Sequence, residues 1–186
     1  IRVKPGNILI TSGSQQALDL IGRLLINPGD HVLVEEPSYL GALQAWSVCE
    51  AEYIPVPMDD DGINVDLLED AMRAGPKFLY LLPNFHNPAG VTLSLERRRR
   101  VVELANHYGT PIIEDDPYGQ LRYQGEHLPS LVQLDAEFHG CGDGGQPFGE
   151  LVQAHHAEVG EHRVDHDLAA GGAVVDALDG LGHPRH

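Results

Sequence analysis

The stretch PIIEDDPYG, residues 111–119, decides the fold. Its apolar run Ile112-Ile113 meets three consecutive acids, Glu114, Asp115 and Asp116, and then Pro117, Tyr118 and Gly119. A short apolar run bounded by turn residues reads as a buried strand. Acids where such a strand ends are either solvated beside the turn or arranged for a cation, and for at least one of Glu114 and Asp116 solvation is the simpler reading. Four more runs of the same kind precede it, at residues 8–10, 31–34, 53–56 and 78–82. Helical patterns separate them, at residues 15–26, 39–49, 65–74 and 95–108. Ser94 is placed to cap the last of these and Gly109 to end it. NPGD (27–30) and DDDG (59–62) read as turns. Strands alternating with helices, and apolar on both faces, predict a three-layer α/β/α fold with a mostly parallel sheet.

Composition narrows the class. The chain has 186 residues, enough for one sizeable core, and a net charge of −16. That charge argues against nucleic acid as a partner, because phosphates need a basic surface. No apolar run reaches the roughly 20 residues of a membrane span. Two cysteines give neither a disulfide framework nor a metal spacing, which fits a reducing cytoplasm. The amino terminus has no signal-peptide layout and no initiator Met, so the numbering is expected to begin inside a longer protein. Residues 1–135 and 136–186 differ sharply. The second stretch has no Ser, Thr, Asn, Ile, Lys, Met, Tyr or Trp, but seven of the eleven histidines and ten of the twenty-one glycines. Apart from Phe138, Cys141 and Phe148, each of its residues can be written by a codon beginning with G or C. We expect either an out-of-frame translation of a GC-rich gene or an acidic, disordered tail.

Ligands in parallel sheets lie beyond the carboxyl ends of the strands, so the residues following each strand matter most. After the first comes TSGSQQAL (11–18), where Gly13 and Ser14 open a helix and leave backbone N–H groups for an anion such as phosphate, or merely an ordinary cap. After the second comes EEPSYLGA (35–42), where Tyr39 can stack on a flat ligand or fill the core. After the fourth comes PNFHNPAG (83–90), with the Asn87 amide as a donor or as part of a structural Asn-Pro turn. His86 reads as a neighbour of the site or a packed side chain, not a metal ligand. Together with Asp115 and Tyr118, these groups would suit a flat aromatic cation that carries a phosphate, such as pyridoxal 5'-phosphate (PLP).

In TSGSQQALDL, EEPSYLGA, PNFHNPAG and IIEDDPYG, in that order, residues 5–134 resemble the large domain of class I/II aminotransferases of PLP fold type I. They are most similar to the 2-aminoadipate and kynurenine aminotransferase-like group, which includes the aminotransferase domains of MocR-type regulators. The resemblance implies amino-group transfer between an amino acid and a 2-oxo acid, with a homodimer as the full-length form. It implies that Gly13, Ser14 and Gln15 hold the cofactor phosphate and that Tyr39 stacks on the pyridine ring. Asn87 and Tyr118 would then hydrogen-bond the 3'-oxygen, and Asp115 would pair with the ring nitrogen. The spacing Asp-x-x-Tyr selects Asp115 over Asp116. A carboxylate ~4 Å from a cation contributes roughly 4 kcal/mol at an effective dielectric of 20, before desolvation. Ser130 lies in a segment that family members share, without an assigned role.

The resemblance fails where catalysis is decided. Family members carry a Schiff-base lysine some tens of residues after LPSL (128–131), and here no lysine follows Lys77. Lys4 precedes the first strand and Lys77 opens another, at the wrong edge. The arginine that binds the substrate carboxylate has no counterpart either, since Arg163 and Arg185 lie in the anomalous tail. The chain is therefore expected to be the cofactor-binding middle of an aminotransferase that cannot transaminate as written, with no catalytic residue to name. Alternatives are an effector-sensing MocR-type domain, distinguished by a helix-turn-helix module upstream, and weak metal binding by His155, His156, His162 and His166. The Arg97–Arg100 run reads as a solvated helix face.

Overall fold

All five apolar runs read as strands pair within one eight-stranded sheet, ordered β1-β8-β7-β6-β5-β2-β3-β4. The computed structural model describes residues 8–138, 151–156 and 173–176. In chain order the elements are β1 (Ile8–Thr11), α1 (Ser14–Leu25), β2 (His31–Glu36), α2 (Leu40–Ser47), β3 (Glu52–Asp59), β4 (Gly62–Ile63), α3 (Val65–Met72) and β5 (Phe78–Leu81). Then follow α4 (Leu95–Tyr108), β6 (Ile112–Asp115), a 3-10 turn (Gly119–Leu121), α5 (Leu131–Phe138), β7 (Leu151–His156) and β8 (Ala173–Asp176). Strands β3, β2, β5, β6 and β7 run parallel. Strand β8 runs against both β7 and β1, and the short β4 runs against β3.

Alternation along the strands builds one core on each face of the sheet. Val32, Val34, Phe78, Tyr80, Leu82 and Ile113 pack with Ala17, Leu18 and Ile21 of α1 and with Ala42 and Trp46 of α2. Leu33, Leu79, Leu81 and Ile112 face the other way, onto Leu68 and Met72 of α3, Val101 and Leu104 of α4, and Leu131 and Leu134 of α5. This is the anticipated three-layer arrangement. The caps form as the sequence indicates: Ser94 Oγ accepts from Arg97 N–H at 3.4 Å, and Gly109 ends α4 in the left-handed region at φ 66. Helix α5 has a capping box, since Gln133 N–H donates to Ser130 Oγ while Gln133 Oε1 accepts from Ser130 N–H. That is the structural role of Ser130.

Helix α5 crosses from the first part of the chain into the second, and β7 and β8 bring two stretches of 136–186 into the sheet. Lys4, His162, Arg163, His166 and Arg185 lie outside the described residues. The Arg97–Arg100 run departs from the anticipated solvated face. Arg98 is fully buried, whereas Arg97 reaches Asp59 and the Gly62 carbonyl, and Arg100 reaches Glu69.

Candidate functional site at the carboxyl edge of the sheet

Parallel strands deliver their last residues to one edge, and the segments that follow β5 and β6 meet there. After β5 the chain continues through Leu82 and Pro83 into the loop that holds Asn87. Asn87, Phe85, His86 and Pro88 line a cavity of about 650 Å³. Tyr118, Leu121, Tyr123 and Gln124, from the segment after β6, complete its wall. Asn87 is exposed and Tyr118 half-buried, so both side chains are accessible to a ligand in this cavity.

At the end of β6, consecutive acids separate onto opposite faces. Asp115 is buried on the α1/α2 side, where the Tyr80 phenol donates to its Oδ2 at 2.8 Å. Burial, followed by the charge of Asp115, pushes the Tyr80 phenol well above its ordinary value. Glu35 and Tyr39 act in the same direction, and Tyr39 packs against the core cluster that holds Tyr80. Glu114 points to the opposite face and is fully buried, which corrects the expectation of a solvated acid for this residue. Both its oxygens accept from Leu131 N–H at 3.1 Å, so it serves the amino terminus of α5. Burial raises its carboxyl to about 7, against the opposing effect of that backbone bond. Asp116 is half-buried and accepts from Asn84 Nδ2 at 2.9 Å and from Gly119 N–H at 2.9 Å, which shapes the turn bearing Tyr118.

Two buried networks that the sequence did not reveal hold these loops. Glu35, at the end of β2, accepts from Leu82 N–H at 2.8 Å and lies 3.2 Å from His86 Nε2. Ala89 N–H donates to His86 Nδ1, which puts the ring proton on Nε2, facing Glu35. Burial pushes the Glu35 carboxyl up, and His86 and the Leu82 N–H draw it back in part. At this distance the contact is polar but not an aligned hydrogen bond. The second network starts at Arg98. Its guanidinium donates to the carbonyls of Leu93, Pro83 and Pro129 and to Asn84 Oδ1, and Asn84 passes the link on to Asp116. His86 is thus a packed neighbour of the cavity, as anticipated. No group of three or more metal-ligating side chains occurs among the described residues.

The first strand end supplies a different surface. Gly13 caps α1 at φ 112, a conformation in which a side chain is strained, and no side chain caps this helix. Ser14 opens the helix half-buried, and Gln15 Nε2 donates to the Gly41 carbonyl at 3.1 Å, tying the first turns of α1 and α2 together. Tyr39 is the N-cap residue of α2, and its ring lies so close over Gly41 that a Cβ there would overlap it. The candidates therefore form two groups: Asn87 and Tyr118 on one cavity, and Gly13, Ser14, Gln15 and Tyr39 at the start of α1 and α2. Asp115 stands with Tyr80. Lys77 sits at the opposite edge, with its N–H on the His31 carbonyl and Nζ 3.8 Å from Asp30.

Residues 1–141 match the model of the aminotransferase class I and II family. The chain is 50% identical over 143 residues to aromatic-amino-acid aminotransferase 1 of Thermococcus litoralis, covering 74% of this chain and 34% of that protein. It is 38% identical to an uncharacterized HTH-type transcriptional regulator, YisV, of Bacillus subtilis, covering 74% of this chain and 28% of that one. Among solved structures, the α-aminoadipate aminotransferase LysN of Thermus thermophilus, complexed with N-(5'-phosphopyridoxyl)-L-leucine, superposes with a TM-score of 0.79. The identity is 32%, and the match covers 95% of this chain and 42% of LysN. The chain spans about a third of the length of the curated relatives it matches. By the family match over most of its length, this chain belongs to the class I and II aminotransferases.

Proposed function

We propose that this chain is the cofactor-binding part of a PLP-dependent aminotransferase, and that its parent moves an amino group between an amino acid and a 2-oxo acid. The observation that carries the reading is the buried carboxylate of Asp115 at the same strand edge as the cavity lined by Asn87 and Tyr118. The donor set fits PLP. An uncapped helix start at Gly13 and Ser14 suits a phosphate, a buried anion suits a protonated ring, and an amide and a phenol suit the 3'-oxygen. When bound, PLP supplies an electron sink for the carbanion at the α-carbon of an amino acid.

The chain's own groups would then divide the work. The backbone at Gly13 and Ser14, with the Ser14 hydroxyl and Gln15, holds the phosphate. Asp115 keeps a proton on the ring nitrogen, and Tyr39 covers a face of the ring. Asn87 and Tyr118 donate to the 3'-oxygen. The nucleophilic lysine that the chemistry requires is not among these groups. Lys77 points away at the other edge, and no lysine follows it. By itself, then, the chain binds the cofactor but does not transaminate. The parent is read as a cytoplasmic homodimer.

A second reading, an effector-sensing domain of a MocR-type regulator, is favoured by the similarity to YisV and to the rhizopine catabolism regulatory protein MocR of Rhizobium meliloti. A basic helix-turn-helix module encoded upstream of Ile1 would select it. Binding itself is tested by titrating the chain with PLP and, separately, with pyridoxal. PLP should bind with one-to-one stoichiometry and pyridoxal far more weakly, because the phosphate site contributes. Equal binding of the two, or none, contradicts the reading.

A further inference from the structure

Tyr80 sits in the middle of an apolar run, FLYLL, where a phenylalanine would fill the same volume. Its hydroxyl is nevertheless buried and spent on a single carboxylate, donating to Asp115 Oδ2 at 2.8 Å. A buried carboxylate tends to take up a proton unless hydrogen-bond donors favour its charged form. The phenol is such a donor. Burial and the surrounding Asp115, Glu35 and Tyr39 raise it well above its ordinary value, so it keeps its proton to donate.

The ring cannot swing away. Trp46 meets it edge-on, with centroids 5.0 Å apart at 89°, and Trp46 also meets Phe78 at 5.3 Å. Trp46 is held in turn by α1, since its indole Nε1–H donates to the Leu18 carbonyl at 2.7 Å. The same helix opens at Ser14. A continuous set of contacts thus runs from α1 through Trp46 and Tyr80 to Asp115, across α2, β5 and β6.

We propose that Tyr80 is a positioning residue for the counter-charge: braced by Trp46, its phenol fixes the Asp115 carboxylate as an oriented anion for the cofactor's ring nitrogen. The inference rests on the reading of Asp115 given above. By accepting from Tyr80, Asp115 becomes a weaker base, and the shared proton stays on the ring nitrogen rather than moving to the carboxylate.

The test uses the full chain and pyridoxamine 5'-phosphate labelled with 15N in the ring, a probe that needs no lysine. In the unaltered chain the bound ring nitrogen should resonate as a protonated pyridinium at pH 8. In Tyr80→Phe the resonance should move toward the unprotonated position, and the Kd should rise about tenfold, about 1.4 kcal/mol. A Tyr80→Phe chain that binds as tightly with an unmoved resonance overturns the inference alone. So does a weaker Kd with an unmoved resonance, which would make Tyr80 a packing residue. If Tyr80→Phe does not fold, 13Cζ-tyrosine labelling of the unaltered chain decides. The buried tyrosine that stays neutral beyond pH 10 should shift when the probe binds, and no shift overturns the inference. Failure of the unaltered chain to bind the probe overturns both the site reading and the inference.

Discussion

Glu114 and Asp115 are neighbours in sequence and end on opposite faces of β6, because strand side chains alternate. Asp115 joins Tyr80 on the α1/α2 face, and Glu114 ends against α5. The spacing to Tyr118 picks out Asp115 in the sequence. The burial of Glu114 was not legible, since the helix it serves begins seventeen residues later. A pH dependence follows. The folded-state value of Glu114, about 7, lies above its ordinary one, so the folded chain holds this proton more tightly than the unfolded chain. The resulting stability is complete below the ordinary carboxyl value and is lost as pH rises to about 7, by as much as about 3 kcal/mol. Asp116 pushes in the same direction, while Arg98 and the backbone at Leu131 and Val132 oppose it. Urea unfolding from pH 5 to pH 8 should show this decline, and Glu114→Gln should flatten it. An equally steep decline in Glu114→Gln would refute the assignment.

At the scale of elements, the four arginines of α4 illustrate what a pattern leaves open. Consecutive positions sweep most of a helical turn, so at least one of Arg97–Arg100 must turn toward the sheet. Composition alone could not show that Arg98 has carbonyl acceptors waiting at Leu93, Pro83 and Pro129. Replacing it leaves those acceptors and Asn84 unsatisfied. Arg98→Leu should therefore cost about 3–5 kcal/mol in denaturant unfolding, whereas Arg99→Leu, at an exposed position, should stay within about 0.5 kcal/mol. Ser94→Ala should cost about 1 kcal/mol, the usual value of an N-cap. The helix starts and stops around these residues could be read from the sequence because caps are local. Contacts such as Arg98–Pro129 span distant segments and could not.

At the scale of the whole molecule, parallel strands deliver their carboxyl ends to one edge, so the strand order alone points to where a ligand site is to be sought. What the pattern could not supply was the bracing of that edge by Glu35, Tyr80 and Arg98. Each of the three sits in a stretch whose apolar or charged neighbours suggest an ordinary core or surface. Lys77 immediately precedes β5, with Nζ 3.8 Å from Asp30, at the edge opposite the end of β6 that carries Asp115. Borohydride treatment of the chain loaded with PLP should leave Lys77 unmodified by mass spectrometry, and stoichiometric labelling there would contradict a cofactor site at the Asp115 edge. That this edge holds the cofactor through Asp115 can be measured by calorimetric titration with pyridoxamine 5'-phosphate. The unaltered chain should bind one equivalent, and Asp115→Asn should bind at least about tenfold more weakly, since a paired charge is lost. Equal affinity of the two chains would contradict it.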